Sequence, residues 1–255
     1  MLSIDAITEV AQQAGEILVS KLQQGFSIEQ KGRIDLVTDA DRASEKYIVE
    51  RLTKMFPHHS ICAEEGGWTE KSSEFVWFVD PLDGTTNFAH GFPYFSVSLA
   101  LAQGGEVVLG VVYNPASREC FVAERGSGAF LNGERINVSK HTRLLDSLLI
   151  TGFPYDIATN PDNNMRAFEQ AYKASQGVRR NGSAALDLCQ VACGRVEAFW
   201  EKYLQPWDMA AGSVIVAEAG GQISDCKGER FVPLGTEILA SNGLVHGELL
   251  EILLA

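Results

Sequence analysis

The segment 77–88 places the strongest constraint on this chain. It reads Trp77-Phe78-Val79-Asp80-Pro81-Leu82-Asp83-Gly84-Thr85-Thr86-Asn87-Phe88. The aromatic and β-branched residues before Asp80 predict a buried strand over 75–79. Pro81 has no N–H to give to a β-ladder, so we expect the strand to end at Asp80 and both acids to face one loop.

The residues after these acids are suited to binding an anion. Gly84 lets the backbone approach a ligand closely, and a helix is predicted to begin near Thr85. The hydroxyls and amide N–H groups of Thr85 and Thr86 would then lie at a helix N-terminus, where phosphate groups bind. The turn therefore predicts a phosphate site.

Asp80 and Asp83 favour a hard cation. Two carboxylates about 4 Å apart repel by roughly 4 kcal/mol at an effective dielectric constant of about 20, so such a pair needs a proton or a cation between its members. Oxygen ligands without His or Cys favour Mg²⁺ or Mn²⁺ over Zn²⁺. The alternative is a strand-end Asp followed by a helix-capping Asp, which is the more common origin of an isolated Asp-x-x-Asp pair.

Other motifs decide between these alternatives. They are Ala63-Glu64-Glu65-Gly66, Pro206-Trp207-Asp208-Met209-Ala210-Ala211-Gly212 and Glu218-Ala219-Gly220-Gly221. Together with the segment 77–88, and in the same order, they resemble the inositol monophosphatase family. Asp35-Leu36-Val37-Thr38 and Gly182-Ser183-Ala184-Ala185-Leu186 extend the resemblance over essentially the whole chain.

The resemblance implies a layered α/β (α+β) fold, the alternating αβαβα sandwich of the sugar phosphatase type. Its two halves, 1–145 and 146–255, would form one compact catalytic unit with the site between them. The strand pattern over 96–124 independently predicts an antiparallel meander, and the later alternation of helices and strands predicts parallel or mixed pairing.

Hydrophobic periodicity gives the expected elements. Helices are expected at Ile4–Gln23, Asp41–Met55, Pro161–Ser175, Ser183–Cys193, Met209–Ala219 and Leu244–Leu253. Strands are expected at Ser60–Ala63, Phe75–Val79, Ser96–Ala102, Val107–Tyr113, Glu119–Glu124, Leu148–Thr151, Val196–Trp200, Gln222–Ser224 and Ile238–Ala240.

The resemblance also implies a metal site of two or three Mg²⁺ ions, with Mn²⁺ possible. Its ligands would be the side chains of Glu64, Asp80, Asp83 and Asp208 and the backbone carbonyl of Leu82. Glu65 remains an alternative to Glu64. Each of these acids, taken singly, is more commonly a solvated or capping residue.

Glu64, Thr85 and Asp83 are implied to be catalytic. Glu64 would act as the base toward a metal-activated water, and the Thr85 hydroxyl would orient or pass the proton. A plain helix cap is the alternative role for Thr85. The amides of Gly84 and Thr85 would hold the phosphate, with Thr86 as an outer donor.

The substrate is implied to be bound from both halves. The implied contacts are Asp83, Gly84, Thr85, Gly182, Ser183, Ala184, Glu201 and Asp208. Glu201 follows an apolar strand, so its alternative role is that of an exposed acid at a strand end. Substrate choice is expected to depend on the loops over 153–156 and 181–184.

The predicted function is a Mg²⁺-dependent phosphomonoesterase that hydrolyses inositol monophosphate, a small phosphorylated polyol. A homodimer and inhibition by lithium are implied by the resemblance. The alternatives are a related phosphatase acting on fructose 1,6-bisphosphate, histidinol phosphate or 3′-phosphoadenosine 5′-phosphate. A different class is also open, because some bacterial relatives bind the transcription machinery and this chain could be such an interaction protein.

Composition argues against nucleic acid as a partner. The chain has 21 basic and 33 acidic residues, a net charge of −12, which repels nucleic-acid phosphates, although Arg179-Arg180 could still dock a partner locally. No run of apolar residues is long enough for a membrane span, and the first residues do not have the pattern of a signal peptide. A cytoplasmic protein is therefore expected.

The resemblance offers further candidates. Lys31 is a candidate for the loop lysine of the family, and Asp39 and Asp41 are candidates for an outer metal position, with helix capping as the alternative role. The cysteines, which lack zinc-site spacing, are expected to be core thiols: Cys62, Cys120, Cys189, Cys193 and Cys226. The histidines His58, His59, His90 and His141 are expected in loops.

Overall fold

The computed structural model describes residues 3–30 and 36–255. Its helices there are α1 (Ile4–Gln24), α2 (Asp39–Met55), α3 (Thr85–Ala89), α4 (Met165–Ala174), α5 (Ala184–Ala192), α6 (Pro206–Glu218) and α7 (His246–Leu254). No helix in this part of the chain is long and apolar enough to cross a membrane.

Most of the strands form two sheets, described here by their order in the chain. The strands are β1 (Ile28–Gln30), β2 (Leu36–Thr38), β3 (Ser60–Ala63), β4 (Gly67–Thr69), β5 (Phe75–Asp83), β6 (Ser96–Gln103), β7 (Glu106–Asn114), β8 (Glu119–Glu124), β9 (Gly128–Leu131), β10 (Glu134–Ile136), β11 (Leu148–Thr151), β12 (Gly177–Arg179), β13 (Ala198–Lys202), β14 (Gln222–Ser224) and β15 (Glu237–Ser241). A short 3₁₀ helix, Leu144–Asp146, precedes β11.

The first sheet has the order β10-β9-β8-β7-β6-β5-β3-β4 and the second the order β12-β11-β13-β15-β14. In the first sheet, β6, β7 and β8 form the predicted antiparallel meander, β5 extends it antiparallel to β6, and β3 lies parallel to β5. In the second, β11 is parallel to β12 and β13, whereas β15 is antiparallel to β13 and β14. The predicted mixed pairing is confirmed.

The helices alternate with these sheets in five layers. α1 and α2 cover the outer face of the first sheet, α5 and α6 lie between the two sheets, and α4 and α7 cover the outer face of the second. This arrangement confirms the predicted αβαβα sandwich. The pair β1-β2 forms a separate small sheet.

The middle layer explains the composition of α6. A helix packed on both sides must be apolar all round, and α6 buries an unbroken run from Met209 to Val216. Its backbone approaches the first sheet closely, since a Cβ at Gly110 would lie 2.5 Å from the carbonyl oxygen of Ala211. Small residues at this contact therefore set the distance between α6 and β7.

The expected end of β5 at Asp80 is wrong. The strand continues through Pro81 to Asp83, and a bulge lets it do so: Asp80 lies opposite Ser98 and Asp83 opposite Ser96, with an extra residue between them. A bulge leaves a residue outside the ladder, so it tolerates a proline without an N–H. The helix expected near Thr85 is present as α3.

Other boundaries differ for identifiable reasons. α2 begins at Asp39 rather than Asp41, because Thr38 caps it and Asp41 completes a capping box. α4 begins at Met165 rather than Pro161, since the preceding Asn164 adopts a left-handed conformation with φ of 68°. Four cysteines are buried and Cys193 is partly buried, all five with free thiols, as expected.

Candidate active site

A cavity of about 360 Å³ lies where α3, α5 and α6 meet the ends of β5 and β13. Among the predicted site residues, those in its wall are Glu64, Asp83, Gly84, Thr85, Thr86, Gly182, Ser183, Ala184, Glu201 and Asp208. Asp80 and Leu82 do not line the cavity, but they lie on the same strand as Asp83 and are buried. The fold therefore brings the predicted residues of both sheets to one place.

Four carboxylates from distant parts of the chain influence one another. Burial raises the pKa of Asp80 well above its usual value, and the negative charges of Glu64, Asp83 and Asp208 raise it further. Burial also raises the pKa of Asp208, with repulsion from Asp83 as the next cause. These carboxylates form one electrostatic cluster.

The local structure fixes the acids of this cluster. Asp80 Oδ1 accepts a hydrogen bond from the Leu82 N–H at 3.0 Å, across the bulge of β5. Asp208 occupies the first turn of α6, where its carboxylate accepts from the Gln205 N–H at 2.7 Å in a capping box. Capping and site membership are thus compatible for Asp208.

The donor chemistry of this cluster fits a hard divalent cation. The available groups are carboxylates and the Leu82 carbonyl oxygen, and a cation would relieve the repulsion that raises the pKa values. Within residues 3–30 and 36–255, no three His, Cys, Asp or Glu side chains lie together as a group that could hold a metal ion by themselves. Mg²⁺ does not require one, because it commonly binds to one or two carboxylates together with water and substrate phosphate.

The structure distinguishes Glu64 from Glu65. Glu64 lines the candidate cavity, whereas Glu65 lines a different depression between α2 and the β3–β4 hairpin. The Glu65 N–H donates to Glu45 Oε2 at 2.8 Å, which holds that turn on α2.

Asp41 and Asp39 have different surroundings, and only Asp41 is near Thr85. Asp41 is fully buried, accepts from the N–H and hydroxyl of Thr38, and places its Oδ1 3.2 Å from Thr85 Oγ1. Burial raises the pKa of Asp41. Asp39 instead pairs with Lys21 near the surface. Lys31 and Asp35 lie outside the described residues.

Gly84 joins β5 to α3 in a conformation that favours glycine. Its φ is 90°, and a Cβ there would lie 3.1 Å from the carbonyl oxygens of both Gly182 and Tyr94. The backbone can therefore turn from the strand into α3 while touching the second part of the site.

Asp83 connects the two sides of the cavity. Its Oδ2 accepts from Ser183 Oγ at 2.5 Å and from the Ala185 N–H at 2.8 Å. Burial raises the pKa of Asp83 to about 6, and these hydrogen bonds oppose the rise.

Glu201 lies in the cavity wall and is only partly exposed, rather than standing on the open surface. A Cβ at Gly152 would lie 2.0 Å from its carboxylate, so the glycine leaves the space that Glu201 occupies. Burial raises the pKa of Glu201 well above its usual value, as do the charges of Asp187 and Asp208, whereas Arg180 opposes the rise.

Sequence reasoning missed several residues of this region. Arg180, interpreted from the sequence only as part of a surface patch, lines the cavity, as do Lys202 and Tyr203. Lys202 Nζ lies 2.9 Å from Asp162 Oδ1. Asp187, buried behind the wall, also went unnoticed because a single acid in an apolar helix carries no motif.

The histidines considered from the sequence lie in loops, as expected, and outside the cavity wall. His59 accepts from Trp77 Nε1 and stacks on Phe75, and His141 Nδ1 lies 2.8 Å from Glu197 Oε1.

The fold and the cavity are those of a phosphatase of the αβαβα sandwich type, with buried carboxylates and polar backbone groups in the wall of the cavity. A profile of the Inositol monophosphatase family matches residues 3–255. The chain belongs to this family, which confirms the resemblance found in the sequence.

Two relatives and one solved structure illustrate the match. The chain is 46% identical over 257 residues to an inositol-1-monophosphatase of Synechocystis, covering 99% of this chain and 88% of the relative. It is 45% identical over 240 residues to the Nus factor SuhB of Pseudomonas aeruginosa, covering 91% and 88%. The inositol monophosphatase structure from Anabaena superimposes with a TM-score of 0.90 at 42% identity, covering 98% of this chain and 94% of that one.

Proposed function

We propose that this chain is a Mg²⁺-dependent phosphomonoesterase that hydrolyses inositol monophosphate to inositol and phosphate. The observation that carries the proposal is the cavity itself: Glu64, Asp83 and Thr85, from β3, β5 and α3, line about 360 Å³ together with Glu201 of β13 and Asp208 of α6. That volume is within the range of small-ligand sites.

Glu64, Asp80, Asp83, Asp208 and the Leu82 carbonyl oxygen would hold two or three Mg²⁺ ions. When bound, the metal supplies positive charge to the phosphoryl oxygens and lowers the pKa of water. Glu64 lies in the wall where it can accept a proton from an attacking water.

Thr85 and Asp41 would orient that water. When the Thr85 hydroxyl donates its hydrogen to Asp41 Oδ1, 3.2 Å away, its oxygen lone pairs are left to accept from water in the cavity. The amides of Gly84 and Thr85 would hold the phosphate.

The hydroxyl groups of the leaving alcohol would be bound by residues of β13, α6 and the turn before α5. Glu201 and Asp208 offer carboxylate acceptors, and the turn Gly182-Ser183-Ala184 offers backbone and hydroxyl groups. The proposal also includes inhibition by lithium and a homodimer, both from family resemblance, and a cytoplasmic location, with which the free thiols are compatible.

A role as an interaction protein of the transcription machinery is the second candidate. It is favoured by the 45% identity to a protein named Nus factor SuhB. The charge of −12 argues against direct contact with nucleic acid but not against a protein partner.

The test is phosphate release from inositol 1-phosphate, fructose 1,6-bisphosphate, histidinol phosphate and 3′-phosphoadenosine 5′-phosphate, with Mg²⁺ or EDTA and with or without Li⁺. We expect Mg²⁺-dependent turnover led by inositol 1-phosphate. Asp80→Asn should lose several orders of magnitude in rate with its fold intact, whereas Asp146→Asn, a surface partner of Arg143, should not. Full activity in Asp80→Asn would refute the metal assignment.

The same variants separate the two candidate functions. A folded wild-type protein with no turnover on any ester would favour the interaction role. A complex with the transcription machinery that survives Asp80→Asn in a pull-down would show that binding is independent of the site.

A further inference from the structure

Asp187 is a buried carboxylate that the proposed mechanism does not use. It lies on α5, is 1% exposed, and accepts two hydrogen bonds on the same oxygen. Tyr94 Oη donates to its Oδ1 at 2.7 Å and Asn181 Nδ2 donates to it at 3.0 Å. A buried carboxylate is costly unless such donors compensate it, so their positions are constrained.

The same two residues are joined a second time through their backbones. Asn87 Nδ2, on α3, lies 2.7 Å from the Tyr94 carbonyl oxygen and 2.8 Å from the Asn181 carbonyl oxygen. Tyr94 precedes β6 in the first sheet, and Asn181 follows β12 in the second. Asp187 therefore binds the side chains of Tyr94 and Asn181, and Asn87 binds their backbones. We call this link between the two sheets the junction.

This junction adjoins the candidate site. The carbonyl oxygen of Gly182, the residue after Asn181, would lie 3.1 Å from a Cβ at Gly84. Ser183 and Ala185 follow, and both donate to Asp83. The turn 181–185 thus contacts both Gly84 and Asp83, and its place depends on where Asn181 is anchored.

We propose that Asp187 is a positioning residue, which through Tyr94 and Asn181 fixes the turn 181–185 against Gly84 and so sets the spacing between the phosphate side and the hydroxyl side of the cavity. The inference rests on the proposed function. Asp187 touches neither side of the cavity directly, since it is absent from the cavity wall.

Tyr94→Phe is the variant of choice, because it removes one donor and keeps the ring. Tyr113→Phe is the matched control: this buried tyrosine has no hydrogen-bond partner for its hydroxyl among the described residues and packs against Gly15 on the far face of the first sheet. Asn181→Ala removes the other donor to Asp187 and keeps the backbone contact to Asn87.

The first readout is hydrogen exchange of peptides that cover 181–187. We expect exchange about tenfold faster in Tyr94→Phe and in Asn181→Ala, and no change in Tyr113→Phe. Unchanged exchange in both variants would overturn the inference, as would an equal increase in the control.

The second readout is kcat/KM for inositol 1-phosphate relative to p-nitrophenyl phosphate, which has no hydroxyl groups to align. This ratio should fall about tenfold in Tyr94→Phe and Asn181→Ala, and the effects should be less than additive in the double variant because both act through Asp187. A merely structural role would lower kcat/KM for both substrates equally and leave the ratio unchanged. That result would also overturn the inference.

The two readouts keep this inference distinct from the proposed function. If the wild-type protein hydrolyses no phosphate ester, the proposed function fails, and exchange alone then decides whether Asp187 fixes the turn. If the wild-type protein is active and exchange is unchanged, the positioning role fails and the proposed function stands.

Discussion

At the scale of single residues, the Thr85 hydroxyl has two possible acceptors. Its Oγ1 lies 3.1 Å from the Leu82 carbonyl oxygen and 3.2 Å from Asp41 Oδ1. A hydroxyl has one hydrogen, so it donates to one acceptor at a time. Donation to Leu82 stabilises the turn, whereas donation to Asp41 leaves the oxygen ready to orient water.

Replacing Thr85 separates these roles. Thr85→Val keeps the shape of the side chain and removes the hydroxyl, so we expect kcat to fall about 100-fold with little change in KM. Thr85→Ser keeps the hydroxyl and should stay within about tenfold of wild type. Steady-state kinetics at saturating Mg²⁺ measure both, and wild-type kcat in Thr85→Val would leave only the structural role.

Some residues of the cavity could be named from the sequence and others could not. Glu64, Thr85 and Asp208 lie in motifs that resemble those of the family, and the structure brings all three to one cavity. Asp187 does not, because its role arises from contact with Tyr94, 93 positions away in the chain. Tertiary contacts of single polar residues leave no periodic signal in a sequence.

At the scale of elements, the connection from β5 to α3 depends on Gly84. The strand ends at Asp83 and the helix begins at Thr85, so one residue must reverse the chain. Its left-handed conformation costs a residue with a Cβ roughly 1–2 kcal/mol. The contacts of that Cβ with Gly182 and Tyr94 would add displacement of the opposing backbone.

Gly84→Ala should therefore lower both stability and activity. Gly105→Ala is the matched control: its φ of 85° is similar, but a Cβ there meets no atom within 4 Å. In urea denaturation we expect both variants to lose stability from backbone strain, Gly84→Ala by more because of its contacts, and we expect a loss of kcat/KM of at least about tenfold only in Gly84→Ala. Equal activity in both would show that the contact with Gly182 does not matter for catalysis.

Elements with strong local signals were predicted well. The bounds of β3, β8, β11 and β14 agree with expectation, since alternating or continuous apolar residues end at turn signals. The strands β9, β10 and β12 were missed, since each begins with a glycine or directly after one, and glycine is typical of a turn. The bulge in β5 was missed because it depends on the partner strand, β6.

At the scale of the whole molecule, the sandwich places acidic side chains where water is scarce. Burial raises the pKa of Asp83 to about 6 and that of Asp187 to about 8, and it raises the pKa values of Asp80, Asp208 and Glu201 well above their usual range. Each of these groups binds a proton more tightly in the folded protein than in the unfolded chain. Their combined contribution must therefore decrease the stability of the metal-free protein as pH rises.

The Tm of the metal-free protein should accordingly fall as pH rises from about 4.5 to about 8. This interval begins near the pKa of a carboxyl group in the unfolded chain, about 4, and ends near the raised pKa values of the folded protein. Mg²⁺ binds the deprotonated carboxylates, so its stabilising shift in Tm should be larger at pH 8 than at pH 5, by linkage of metal and proton binding. Asp80→Asn should reduce that difference, whereas Asp146→Asn on the surface should preserve it. Melting curves with EDTA or Mg²⁺ at constant ionic strength measure all of these shifts.

An increase in Tm on adding Mg²⁺ that is the same at both pH values would contradict the assignment of the buried carboxylates as the cation site, because binding there must compete with protons.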